Sequence, residues 1–165
     1  MEFGKYITIG LQKGFAGELE HGKTIRHGWG TVEFSHMGQV VDGKAVAYQD
    51  EWVGDRTGGG QELISVDGDD HFTRVYAGGM LNYEELEKMG IKKKDVLSFL
   101  KSQILEHGEK LRLFSDFEPE SIGKWKYVYK ILFSDPEIGI TDAKESILYD
   151  GTVVFIHGVL ISPVK

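Results

Sequence analysis

Val40-Val41-Asp42-Gly43-Lys44-Ala45-Val46-Ala47-Tyr48 sets an Asp-Gly pair between β-branched and aromatic residues, and the same grammar returns at Leu148-Tyr149-Asp150-Gly151-Thr152-Val153-Val154-Phe155-Ile156. Each stretch predicts a β-hairpin, because both central residues of a type I′ turn need positive φ, which Gly adopts freely and Asp tolerates. The two copies lie roughly a hundred residues apart, far beyond a solenoid period, so they point to a pseudo-duplicated sheet and not to an array.

Outward from the first hairpin, residues 1–80 read as strands at Lys5–Ile9, Phe15–Leu19, Lys23–Arg26, Gly30–Ser35, Lys44–Val53, Glu62–Val66 and Phe72–Tyr76. His21-Gly22 and Asp67-Gly68-Asp69 supply tight turns, and Gly54–Gly60 reads as a flexible loop. Helical pattern arrives only in the middle. Asn82-Tyr83-Glu84-Glu85 has the spacing of a capping box closed by Gly90, and Val96, Leu97, Leu100, Ile104 and Leu105 recur at helical spacing before Gly108. Strands resume at Lys124–Phe133, Ala143–Tyr149 and Thr152–Ile161. The expected fold is α+β: a largely antiparallel β-sheet or half-barrel built from two pseudo-repeated β halves (1–80 and 120–162), with a helical hairpin (82–108) between them, in one domain spanning 1–165.

With 165 residues and 41% hydrophobic content, the chain can bury one sizeable core and is short for two. A net charge of -7 argues against direct nucleic-acid binding, which needs clustered Lys and Arg to displace phosphate counterions. The densest basic run, Lys92-Lys93-Lys94, opens a predicted helix, meets Asp95 at once and reads as a solvated face. Zero cysteines remove disulfides, thiolate nucleophiles and Cys-ligated metal centres together. No apolar run is long enough to span a bilayer and the first residues lack a signal-peptide core, so a soluble, cytoplasmic protein is expected.

Gly17-Glu18-Leu19-Glu20-His21-Gly22-Lys23-Thr24 matches G-x-x-x-x-G-K-T, but a phosphate loop works by opening a helix, and Gly28 and Gly30 within the alternating segment that follows do not support one. Asp67-Gly68-Asp69-Asp70-His71 lacks the Gly and Glu that a calcium loop places at its sixth and twelfth positions, and reads as a hairpin turn. The histidines are not spaced as His-x-His or His-x-x-x-His; His21, His27 and His107 read as exposed turn or helix-end residues, and neither a metal nor a cofactor is expected. No Gly-x-Ser-x-Gly elbow exists.

Strand alternation puts Val46, Tyr48, Asp50 and Trp52 on one face, Phe72, Arg74 and Tyr76 on another, Trp125, Tyr127, Tyr129 and Phe133 on a third, and Val153, Phe155, His157 and Val159 on a fourth. Asp50, Arg74 and His157 each interrupt a large apolar face. A buried charge without a partner costs several kcal/mol, so each is expected to find one, the other two of the three among the candidates. Two readings follow from this pattern: a satisfied structural network, or an aromatic-walled pocket whose few polar groups orient a small ligand. The candidate ligand-binding residues are Asp50, Trp52, Arg74, Tyr76, Trp125, Tyr129, Glu145 and His157.

The run Tyr127 through Phe133, with Glu145-Ser146-Ile147, Gly151, Val154-Phe155 and His157-Gly158, resembles DUF5680, a family of unknown function whose domains end in a similar Glu-x-Ile, Gly, Val-Tyr, His-Gly pattern. The stretch Val40–Val46 followed by Asp50 and Trp52 is similar to that family's internal hairpin. Members of the family can be joined to helix-turn-helix DNA-binding domains, so the resemblance implies a regulatory, ligand-sensing module. The expected function is small-molecule binding of this sensor-like kind. Its alternatives are an acid/base enzyme using His157 with Asp50 or Glu145, and a self-associating protein that forms a homodimer through aromatic strand faces.

Overall fold

The computed structural model describes residues 4–17, 22–23, 30–108 and 110–164. Among them run α1 (Gly4–Lys13), β1 (Gly22–Lys23), β2 (Gly30–Val41), β3 (Lys44–Gly54), β4 (Thr57–Val66), β5 (Asp69–Met80), α2 (Tyr83–Lys88), α3 (Lys93–His107), β6 (Trp125–Asp135), β7 (Ile140–Tyr149) and β8 (Thr152–Pro163). The strands make one antiparallel sheet in the order β1-β2-β3-β4-β5-β8-β7-β6, two meanders joined where β5 pairs with β8. The sheet curls into a half-barrel, and the fold is α+β as the sequence predicts.

Both quoted hairpins form, and for the stated reason. Asp42 and Gly43 have φ of 52° and 83°, Asp150 and Gly151 have 50° and 79°, and Asp67-Gly68 repeats the geometry at 55° and 85°. Asn82 accepts a hydrogen bond from the Glu84 N–H at 3.1 Å and Gly90 ends the turn after α2 at φ 77°, while the Asp95 carboxylate accepts from the Lys92 N–H at 2.8 Å to start α3.

Several sequence expectations are corrected. Lys5–Ile9 is not a strand but the start of α1, because Tyr6, Ile7, Gly10 and Leu11 form a helical face that packs into the hollow of the sheet. A Cβ on Gly10 would lie 2.4 Å from the Tyr48 ring, so the close approach of α1 to β3 requires glycine there. Phe15, read as the start of a strand, sits in the turn that follows α1, and the end of that expected strand at Leu19 lies outside the described residues. Gly22–Lys23 is a two-residue strand; the remainder of Lys23–Arg26, the phosphate-loop match at Glu18–His21 and Thr24, and His21 and His27 fall outside the described residues. Gly54–Gly60 is a tight hairpin and not a flexible loop: Gly54 pairs with Gly58, Val53 with Gly59 and Trp52 with Gly60, leaving only Asp55 and Arg56 to connect β3 with β4. Phe133 and Val153 face outward, 57% and 44% exposed, because bulges between Ile131 and Phe133 and between Ile147 and Leu148 shift the alternation. His107 is half-buried, its ring 5.4 Å from that of Phe117.

The core lies in the hollow. Tyr6, Ile7 and Leu11 of α1 and Val96, Leu100 and Ile104 of α3 pack against Tyr48, Ile64, Tyr127, Ile147 and Ile161 of the sheet. Thr8 Oγ1 donates to the Gly108 carbonyl at 2.6 Å and ties α1 to the end of α3. No helix among the described residues is long and apolar enough to cross a membrane.

A Cβ at Gly151 would meet nothing within 4 Å, so a substitution there costs only backbone strain. Gly151→Ala is expected to destabilise the protein by about 1 kcal/mol, read from the urea midpoint at unchanged slope.

Candidate functional site

Two cross-strand rows of polar side chains meet in the hollow. In the first meander Asp50 of β3 stands opposite Glu62 of β4, and Glu62 opposite Arg74 of β5. In the second, Tyr129 of β6 stands opposite Glu145 of β7, and Glu145 opposite His157 of β8. Period-two alternation aims both rows inward, where Asp50, Glu62, Arg74 and Glu145 are buried.

Arg112, in the segment after α3, joins the rows. Its guanidinium grips Glu145 with two bonds, Nε to Oε1 at 2.8 Å and Nη2 to Oε2 at 2.7 Å, while its own carbonyl accepts from Arg74 Nη1 at 3.0 Å. Arg74 Nε bonds to Glu62, and Tyr48 donates to the other Glu62 oxygen at 2.7 Å. Tyr127 donates to Glu145 at 2.6 Å. His157 Nδ1 lies 3.5 Å from Glu145 Oε2, an ion-pair separation without hydrogen-bond geometry. Asp50 stands apart: one oxygen accepts from the Tyr76 hydroxyl at 2.9 Å, and the other has no partner among the described residues.

The environments split the three acids. Burial pushes Glu62 and Glu145 up, but the charges of Arg74 and Arg112 respectively outweigh it, and both carboxyls sit below their ordinary values. For Asp50, burial and then the negative charge of Glu62 dominate, and its carboxyl is pushed up from 3.8 to about 7. Burial and the Asp50 charge likewise raise the Tyr76 hydroxyl far above its ordinary value, so it stays a donor.

Beside this network opens a cavity of about 210 Å³. Asp50, Tyr76, Arg112 and His157 line its polar side, Trp52, Phe15, Phe155, Leu97 and Leu100 its apolar side, and Asp55, Arg56 and Lys93 also border it. Part of its sheet wall is bare backbone: Gly54, Gly58, Gly59, Gly78 and Gly79 border it on three strands. A Cβ on Gly78 would fall 2.0 Å from the Ile156 carbonyl, and one on Gly79 2.2 Å from that of Arg56, so side chains are excluded there.

Of the residues named from sequence, Asp50, Trp52, Tyr76 and His157 line the cavity. Glu145 stands behind His157, and Arg74 is held in the network by Glu62. Trp125 is elsewhere, its ring 5.1 Å from Phe99 and 4.7 Å from Tyr149, and Tyr129 donates to the Leu113 carbonyl at 2.9 Å. The expected partnership among Asp50, Arg74 and His157 is not made; each has a separate partner in Tyr76, Glu62 or Glu145. Sequence reading missed Glu62, which the alternation of Glu62, Ile64 and Val66 places inward, and Arg112, whose aperiodic segment carries no signal. Compared with known proteins, the chain matches no family model, no curated protein and no solved structure.

Arg112→Met leaves Glu145 buried without its cation and is expected to cost about 3–5 kcal/mol in chemical denaturation. The raised Asp50 carboxyl makes a second prediction. Folded protein keeps this proton to higher pH than unfolded chain, so the stability it contributes is full below the ordinary carboxylate value and is lost as pH rises through about 7. The charged and titratable groups around Asp50 are Glu62, Arg74, Tyr76, Arg112 and His157, with Asp55, Arg56 and Lys93 also bordering the cavity. The denaturation midpoint should fall between about pH 5 and about pH 8, and Asp50→Asn, which can still accept from Tyr76, should flatten that decline.

Proposed function

We propose that this chain is a small-molecule-binding, sensor-like module whose ligand occupies the cavity between the glycine-walled strands and α3. The observation that carries this reading is the meeting of a largely apolar recess with an under-partnered buried carboxyl: among the described residues Asp50 keeps one oxygen without a hydrogen-bond partner, while Trp52, Phe15, Phe155 and Leu97 line the same space. Apolar pockets with a few convergent polar groups are the usual form of ligand sites. The five bordering glycines let the strands close tightly, since a Cβ on any of them would strike a neighbouring backbone carbonyl, and they leave peptide backbone along part of the cavity rim. The resemblance of Tyr127–Phe133, Glu145 and His157-Gly158 to DUF5680 points the same way, toward regulation by a ligand.

A second reading, acid/base catalysis, is favoured by His157 standing 3.5 Å from Glu145 beside a carboxyl raised to about 7. Against it, Glu145 is already bound by Arg112 and Tyr127, which fits a structural charge better than a proton carrier.

Thermal unfolding against a metabolite panel tests the binding reading. A ligand at about a hundred times its dissociation constant adds roughly 2.7 kcal/mol, a shift of several degrees for a domain of this size. Leu97, half-buried at the cavity, is the position to block. Leu97→Trp should abolish the shift while leaving the unliganded midpoint within about 2 °C of the parent. A shift that survives Leu97→Trp places the ligand elsewhere, and product formation lost in His157→Ala would favour catalysis.

A further inference from the structure

Among the described residues the buried charged side chains are three acids, Asp50, Glu62 and Glu145, and two arginines, Arg74 and Arg112. Glu62 is matched by Arg74 and Glu145 by Arg112. Among these described residues Asp50 has no cation of its own, only the Tyr76 hydroxyl. With all five ionised the network is one positive charge short, and with Asp50 protonated it is neutral. The rings bordering Asp50 form an arc: Phe155 lies 4.3 Å from His157, His157 lies 5.3 Å from Tyr76, and Tyr76 holds Asp50. Trp52 follows Asp50 on the same strand face and lines the same cavity. Aromatic faces beside a carboxylate are what attract an ammonium group away from water.

Building on the pocket reading above, we propose that the cavity takes a small organic cation, an amine whose ammonium group pairs with Asp50 and lies against Trp52, Tyr76 and Phe155. An anion would face Asp50, with Glu62 behind it; Arg74 and Arg112 are already committed to Glu62 and Glu145, and Arg56 at the rim donates to the Met80 carbonyl at 3.0 Å. A neutral ligand would leave Asp50 in its protonated form and gain no ion pair. Space suits one ring: a cavity of about 150 Å³ admits benzene, and this one is about 210 Å³.

Because Asp50 must shed its proton to pair with the amine, cation binding and proton release are coupled. Other charged or titratable groups at this end are Glu62, Arg74, Tyr76, Arg112 and His157, with Asp55, Arg56 and Lys93 bordering the cavity. Protonation of His157 would also oppose a cation, so Asp50→Asn, which keeps His157, separates the two contributions.

The test is calorimetric titration of the full chain with benzylammonium, with its neutral analogue benzyl alcohol and with benzoate. Benzylammonium is expected to bind at least roughly tenfold more tightly than either at about pH 8, and to weaken toward about pH 5 by up to roughly tenfold per unit. In Asp50→Asn its affinity should fall to within about twofold of benzyl alcohol, with most of the pH dependence gone. Tyr76→Phe, which removes only the hydroxyl, should keep the preference for the amine and serves if Asp50→Asn folds poorly. Equal or tighter binding of the alcohol or benzoate would overturn the cation proposal while leaving the pocket reading in place. Absence of binding by all three probes would also overturn it, and would remove the pocket reading only if the metabolite panel gave no shift that Leu97→Trp abolishes.

Discussion

Arg112 is the constraint on which the interior depends. A half-barrel made of two meanders brings two rows of acids into one hollow, Glu62 from one and Glu145 from the other, and neither anion tolerates burial without a cation. Arg112 reaches Glu145 through its guanidinium and receives Arg74 on its carbonyl, so one residue neutralises the second row and orients the cation of the first. Its backbone adopts φ 57°, a conformation that costs a non-glycine residue energy and persists because Leu111 beside it is wholly buried and the carbonyl and side chain are both committed.

The glycines of β4 and β5 act in the opposite sense. Gly58 faces Gly78, Gly59 faces Ala77 and Thr57 faces Gly79, so the sheet continues by backbone pairing where it has almost no side chains. Strand pairing preserves the wall, and glycine there lets the backbones approach more closely than a Cβ would allow. The space lies next to the ionic network, bordered by Asp50, Arg112 and His157 on one side and by the glycine backbone of these strands on another.

Legibility in the sequence divides along physical lines. The Asp-Gly hairpins, the helical segment and the inward faces of Asp50, Arg74 and His157 were readable because turn chemistry and period-two alternation are local. The strand expected at Lys5–Ile9 failed because its β-branched and aromatic residues favour extended backbone, whereas packing of Tyr6, Ile7 and Leu11 into the hollow outweighs that preference. Gly54–Gly60 looked like a loop because glycine usually marks one, yet neighbouring strands supply the hydrogen bonds that hold it in the sheet.

Fold class, turns and the residue types facing the core are legible along the chain, since they follow from interactions spanning a few residues. The pairings follow only from the tertiary arrangement: Arg112 with Glu145 across 33 residues, Arg74 with Glu62, and Asp50 with Tyr76 and, among the described residues, no cation. Those choices depend on strand order, on the bulges that shift register and on where an aperiodic segment crosses the hollow. Charge balance in a water-poor interior is set by neighbours in space, and that arrangement distinguished Asp50 from the two acids already matched.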